Sequence, residues 1–363
     1  MQFDPYSPEA LLSNVSATRR SIVSTPLLFE FMKAIQLVAT GEPLAIVEVE
    51  DPTPAMGEVT ISVGAAGICR SDVHYRSGSR PVSTLPLIPG HEIAGVVSEI
   101  GPAVYDVSVG DRVSVHYLVS CGSCPQCKAG REQFCETGEM FGLDRDGGYA
   151  ELVVAPARNL HAIPDGVGME IAAIMMCSSA TSLHALRRGR LVEGESVAVI
   201  GCGGLGISAI KIAQSLGASE VFGLDIDLGK LEMVESLGAV ALDVSRAGEL
   251  EVDVALELVG LPETMRASVD ALGFQGRAVA VGLAHEPFSL HSFNDLILRE
   301  AEVIGASDHF GSEIDELFGM VVDGRLDLSD VVTGTVPLEA GEVNAALDRL
   351  EAFDGGVRSV ILS

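Results

Sequence analysis

The chain has no tryptophan, only 5% aromatic residues, and lysine at just four positions, 33, 128, 211 and 230. With a formal net charge of -28 it lacks the basic patches that nucleic acid and anionic membrane surfaces select, so neither partner is expected. No apolar run reaches the roughly 18 to 20 residues of a membrane-spanning helix. The seven cysteines are odd in number, and no convincing export signal accompanies them, which disfavours a disulfide framework and points to a cytoplasmic protein. The acid-rich, lysine-poor balance would suit a salty cytoplasm; a high-GC genome favouring arginine would give the same bias.

Arg19 and Arg20 followed by SIVSTPLLF imitate a secretion signal. Asp4 and Glu9 are acidic, however, Pro26 and Glu30 interrupt the apolar run, and no small-residue cleavage site follows. Residues 1–31 therefore read as an N-terminal extension ahead of a domain that begins near Met32.

What is present is an apolar fraction of 47% in 363 residues, enough for two well-packed domains. From Met32 to about residue 160, short runs such as AIVEVE, AGVVSEIG and AELVVAP alternate with Gly and Pro turns, a β-rich texture. After Cys177 the pattern becomes strand, helix, strand, helix, which predicts an α/β fold with a doubly wound parallel sheet. The expected division is 32–177, 178–312, and a closing segment 313–363 that returns to the first domain.

The sequence GCGGLG places Gly201, Gly203 and Gly206 as G-x-G-x-x-G, with Gly204 and Leu205 inside the motif. It follows the apolar strand SVAVI and opens a helix, so the glycines permit a tight turn and close approach of a pyrophosphate to the helix N-terminus. At the end of the next strand stands Asp225, whose carboxylate can accept both hydroxyls of an adenosine ribose and would repel a 2′-phosphate. NAD is therefore the expected cofactor. Lys230 could reach the same ribose, although a lone lysine on a helix is usually only a surface group.

Four cysteines, Cys121, Cys124, Cys127 and Cys135, lie in CGSCPQCKAGREQFC. Two-residue gaps between the first three let their thiolates converge on one ion, and the last loop brings round the fourth. An all-thiolate tetrahedron leaves no open position, so a structural zinc is expected; an iron-sulfur run uses a shorter last gap and a following proline. Alone, such a lobe could also be a zinc ribbon of a nucleic-acid binder, which the acidic balance opposes. Of the remaining cysteines, Cys202 sits in the glycine-rich loop as a small filler. Cys69, His91 and Cys177 are left as candidates for a catalytic zinc with a vacant position. Spacing alone does not prove the trio.

The ordered set ICRSDVH, PGHEIAG, the four-cysteine lobe, MC-x3-T and GCGGLG resembles the zinc-dependent medium-chain alcohol dehydrogenase family over roughly residues 32–363. The resemblance implies a GroES-like catalytic domain with a Rossmann domain, NAD, and two Zn2+ per chain. It implies catalytic ligands at Cys69, His91 and Cys177, with Asp72 holding the His91 ring and Glu92 close behind the metal. Glu92 has a plainer reading as an ion-paired strand residue. The same resemblance sets Thr181 against the nicotinamide, Arg70 at the cofactor phosphates, and Ser71 with His74 as the proton route. His116 and Tyr117 would wall the pocket for an alcohol, aldehyde or ketone. SDVHY also resembles polyol and threonine branches, which carry a glutamate where this chain has Cys177. A zinc-held, NAD-binding protein without turnover is the reading from another class. Family members are commonly dimers or tetramers; with no long insertion before Cys121, a homotetramer is expected.

Overall fold

Hydrogen-bonded pairing turns the β-rich half into a seven-stranded sheet whose register decides what meets at its end. The structure is a computed structural model and describes residues 30–284, 286–353 and 356–363. The expected N-terminal extension lies, but for its last two residues, outside the described residues.

The long strand Glu58–Ile68 is the hub of this sheet. It pairs antiparallel with Glu92–Ile100, Leu152–Pro156 and the C-terminal strand Ser359–Leu362, which in turn pairs in parallel with Gly334–Pro337. The last two strands thus return from the far end of the chain into the first sheet. In register, Gly67 faces Glu92 and Ile68 faces Ser359. Carried one residue further, that pairing sets His91 opposite Ile68, next to Cys69, and Arg358 opposite Cys69. Valine, isoleucine and alanine on the inner face, including Val59, Ile61, Ile93 and Val113, bury the core of this half.

The second sheet has six parallel strands, Ser196–Ile200, Glu220–Asp225, Val240–Asp243, Val252–Glu257, Leu272–Ala280 and Glu302–Gly305. Counted in chain order they lie as 3-2-1-4-5-6, the dinucleotide-binding arrangement whose ligand site falls at the carboxyl end of the first strand. Separate apolar clusters cover its two faces.

Contrary to the expectation that no apolar run is long enough, one helical stretch among the described residues, Met169–Arg188, could pass as a membrane span by length and composition, but 78% of that window is buried inside the fold. It is the core helix against which the parallel sheet packs. Fully burying Leu183 or Leu186 there contributes about 1.5–3 kcal/mol each. Its middle turn, Met175–Ser179, is wound as a π-helix, a local widening that often marks functional sites, and it carries Cys177.

Candidate metal and nucleotide site

Cys69 stands at the corner between the hub strand and the helix Arg70–Ser77, as the N-cap of that helix. Asp72, on the first turn, accepts the Cys69 N–H at 2.9 Å through Oδ2, so the carboxylate fixes the corner that presents the thiol. The same oxygen accepts the Tyr149 hydroxyl at 2.9 Å, and Oδ1 lies 3.6 Å from His91 Nδ1. Tyr149 is fully buried, and no local sequence signal marks it as part of the site.

Cys69, His91, Glu92 and Cys177 bring one donor atom each to within 4.8 Å of one another. Cys69, His91 and Glu92 converge through strand register, and Cys177 enters from the π-helical turn. All four are buried. Two thiols, an imidazole and a carboxylate taken out of water are costly unless a cation or a mutual pairing compensates them, so the donor set fits a divalent metal. Contact with Cys177, against the cost of burial, pulls the Cys69 thiol well below its ordinary range, and Arg358 adds to this. Cys177 is held up instead, by Cys69 and by burial. Burial opposes charge on His91, yet Asp72 and Cys69 raise it to about 10.

Glu92 belongs to the donor cluster and also forms a buried ion pair with Arg358. A side chain at Gly67 would run into Glu92, which explains a glycine there. Arg358 also reaches the nucleotide loop, because a Cβ on Gly204 would stand 3.1 Å from its Cδ. The Arg358 guanidinium thus stands beside the loop. Arg70 donates to Leu350 O at 2.8 Å and lies 3.7 Å over the Phe353 ring.

Within the loop Gly201 has φ +96°, and a Cβ on Gly206 would collide with the Gly201 carbonyl. Gly203 caps the helix Gly204–Ser215. Ser182 Oγ lies 2.8 Å from Leu205 O and 2.7 Å from Ser178 O, which ties this helix start to the core helix. Asp225 accepts N–H groups from Cys202, Ile226 and Asp227 at 2.8, 2.8 and 3.0 Å, with Lys230 Nζ 3.9 Å away. Cys202 is buried in packing; burial first, then Asp225, pushes its thiol up, as suits a filler.

Cys121, Cys124, Cys127 and Cys135 likewise gather their sulfurs within 4.8 Å. Backbone N–H groups already point at them, among them Cys121 N to Cys135 Sγ and Cys124 N to Cys121 Sγ, both 3.2 Å. Hydrogen bonds from Ser123 hold Cys121 down at about 5, ready to bind as thiolate.

Ser71 Oγ lies 3.8 Å from Cys69 Sγ, and His74 Nδ1 lies 3.0 Å from Ser79 Oγ. Three residues apart on one helix, Ser71 and His74 share a face. Tyr117 stacks edge-on 5.2 Å from His91 and donates to Asp308 Oδ1 at 2.7 Å; His116 lies 4.9 Å from His309. Thr181 Oγ1 is 3.4 Å from His309 Nδ1. Asp308 and His309, absent from the sequence expectations, thus join the neighbourhood of the metal site from nearly 200 residues away.

Two family models match the chain, "Alcohol dehydrogenase GroES-like domain" over residues 55–165 and "Zinc-binding dehydrogenase" over 204–321. An alcohol dehydrogenase of Geobacillus stearothermophilus is 34% identical over 332 residues, covering 88% of this chain and 96% of the relative. The chain belongs to the zinc-containing medium-chain alcohol dehydrogenase family. A thermostable alcohol dehydrogenase of Pyrobaculum aerophilum, whose structure holds cobalt and zinc, superposes with TM-score 0.85 at 33% identity, covering 92% of this chain and 100% of the other. An L-threonine 3-dehydrogenase of Streptomyces coelicolor is also 34% identical, over 84% of this chain and 92% of the relative. As a member of this family the protein is an NAD-dependent dehydrogenase with a four-cysteine structural zinc site and a Cys/His/Glu catalytic zinc site.

Proposed function

We propose that the protein reversibly oxidises a primary or secondary alcohol to the aldehyde or ketone, passing hydride to NAD. The supporting observation is the convergence of Cys69, His91 and Cys177, with Arg358 linking Glu92 to the glycine-rich loop. Cys69, His91 and Cys177 would hold the catalytic zinc, His91 through Nε2, since Nδ1 faces Asp72. Bound zinc supplies Lewis acidity that brings an alcohol hydroxyl into reach of deprotonation near neutral pH.

The chain's own groups do the rest. Ser71 would accept the hydroxyl proton, and His74, on the same helix face, would hand it on toward solvent. Thr181 would contact the nicotinamide, and Tyr117 would wall the pocket. Gly201, Gly203, Gly204, Leu205 and Gly206 would cradle the pyrophosphate, Asp225 would hold the ribose with Lys230 beside it, and Arg70 and Arg358 would supply positive charge nearby. Cys177 in place of glutamate favours simple alcohols over polyols or threonine. Exposed Phe293, Ile297 and Leu298, with Val303 on the edge strand, support self-association into the expected tetramer.

The test is NADH or NADPH formation across a panel of alcohols, polyols and L-threonine, with NAD and NADP side by side. Turnover of simple alcohols with NAD at least about tenfold more efficient than with NADP is expected. Preference for polyols or threonine would favour the other branch. Zinc content and NAD binding without any turnover would favour the non-catalytic reading.

A further inference from the structure

Glu132 lies inside the four-cysteine lobe, on the turn Glu132–Phe134 just before Cys135. Its Oε1 accepts the N–H of Gly311 at 2.8 Å, although 179 residues separate them. Gly311 opens the helix Gly311–Val322, whose Ile314, Leu317, Phe318 and Met320 are buried in the core around the parallel sheet. The first N–H groups of a helix have no partner within it and carry the positive end of its dipole, so a carboxylate there is held firmly. Glu313 closes back on the N–H of Phe310 at 2.8 Å, and Glu132 takes the next N–H from outside the helix.

Immediately before that helix come Asp308 and His309. Asp308, at φ +51°, accepts the Tyr117 hydroxyl, and the Tyr117 ring touches His91. His309 is fully buried against Thr181, His116 and Tyr117. The segment 308–311 is therefore pinned at one end beside the catalytic metal site and at the other to the structural-zinc lobe. A second tether, His161 to Asp315 at 2.7 Å, has its carboxylate 71% exposed and is the weaker kind of pair.

We propose that Glu132 is a positioning residue: by holding Gly311 it lets the four-cysteine lobe set the wall that Tyr117, Asp308 and His309 present to the substrate. The lobe then acts on the reaction as well as on stability. This rests on the dehydrogenase reading for its kinetic consequence, but not for its structural one.

The experiment compares Glu132→Ala with Glu132→Gln in the full-length, zinc-loaded protein. Glutamine keeps a carbonyl oxygen for Gly311, and alanine does not. Amide hydrogen exchange over residues 307–311 should accelerate about tenfold in the alanine variant and return close to wild type in the glutamine variant. The alcohol KM should rise by about fivefold or more in the alanine variant while the Kd for NADH stays within about twofold and zinc content is unchanged. Unchanged exchange in Glu132→Ala would overturn the proposal. So would a parallel loss of NADH binding, zinc and turnover that glutamine fails to restore. If the wild-type protein turns over no alcohol, the dehydrogenase reading fails, while the exchange data still decide the role of Glu132.

Discussion

Replacing Arg358 by methionine should expose how much the buried charge pair behind the metal matters. Glu92 is fully buried and Arg358 is 4% exposed, and the two are paired. The backbone at Gly67 gives the carboxylate no room to retreat. Methionine keeps most of the apolar stem that packs on Gly204 but removes the guanidinium that pairs with Glu92. Removing one partner of a buried pair costs about 3–5 kcal/mol, whereas replacing both by apolar groups is close to neutral. At roughly 2 °C per kcal/mol for a large chain, the single variant should lose about 6–10 °C in thermal midpoint. The double variant Glu92→Leu/Arg358→Met should recover most of it. The assay is far-ultraviolet circular dichroism on zinc-loaded protein at one scan rate, since unfolding of a large chain is often irreversible. A single variant as stable as wild type, or a double variant less stable than the single, would refute the reasoning.

Acid should weaken the fold partly through His116. Burial, followed by the nearby His161, lowers its pKa to about 3 from an ordinary 6.5. The unfolded chain then takes the proton first as pH falls, so this contribution is intact above about 6.5 and is lost toward 3. The slope is at most about 1.4 kcal/mol per pH unit. Denaturant titrations between pH 7 and 5 should show a shallower decline in His116→Gln, and parallel curves would count against it. Gly206→Ala should weaken NADH binding by about tenfold or more, because its Cβ would meet the Gly201 carbonyl and displace the loop. Fluorescence titration giving wild-type affinity would contradict that.

How legible the site was depended on whether its geometry is local. The gaps among Cys121, Cys124, Cys127 and Cys135 and the strand–loop–helix context of Gly201 to Gly206 encode their sites within a few residues, so spacing alone revealed them. Asp72 was placed by resemblance, and its bond to the Cys69 N–H is a local capping contact. Arg358, Glu132, Asp308 and His309 carry no such signal. Each enters through strand register or helix docking across more than 150 residues, as when Ile68 pairs with Ser359. The π-helical turn at Cys177 was equally hidden, since MMCSS is compatible with an ordinary helix and only packing shows the widened turn. Met169–Arg188 shows the converse. Its apolar character reflects burial in a core, which composition cannot distinguish from burial in a membrane.

The most direct measurement is zinc stoichiometry and alcohol turnover in Cys177→Ala beside Cys124→Ala and wild type. About two zinc ions per wild-type chain are expected. Cys177→Ala should fold normally, lose the more labile zinc and nearly all NADH formation, while Cys124→Ala should chiefly lose thermal stability. A Cys177→Ala protein with normal turnover would contradict the central claim that this cysteine, with Cys69 and His91, holds the catalytic metal.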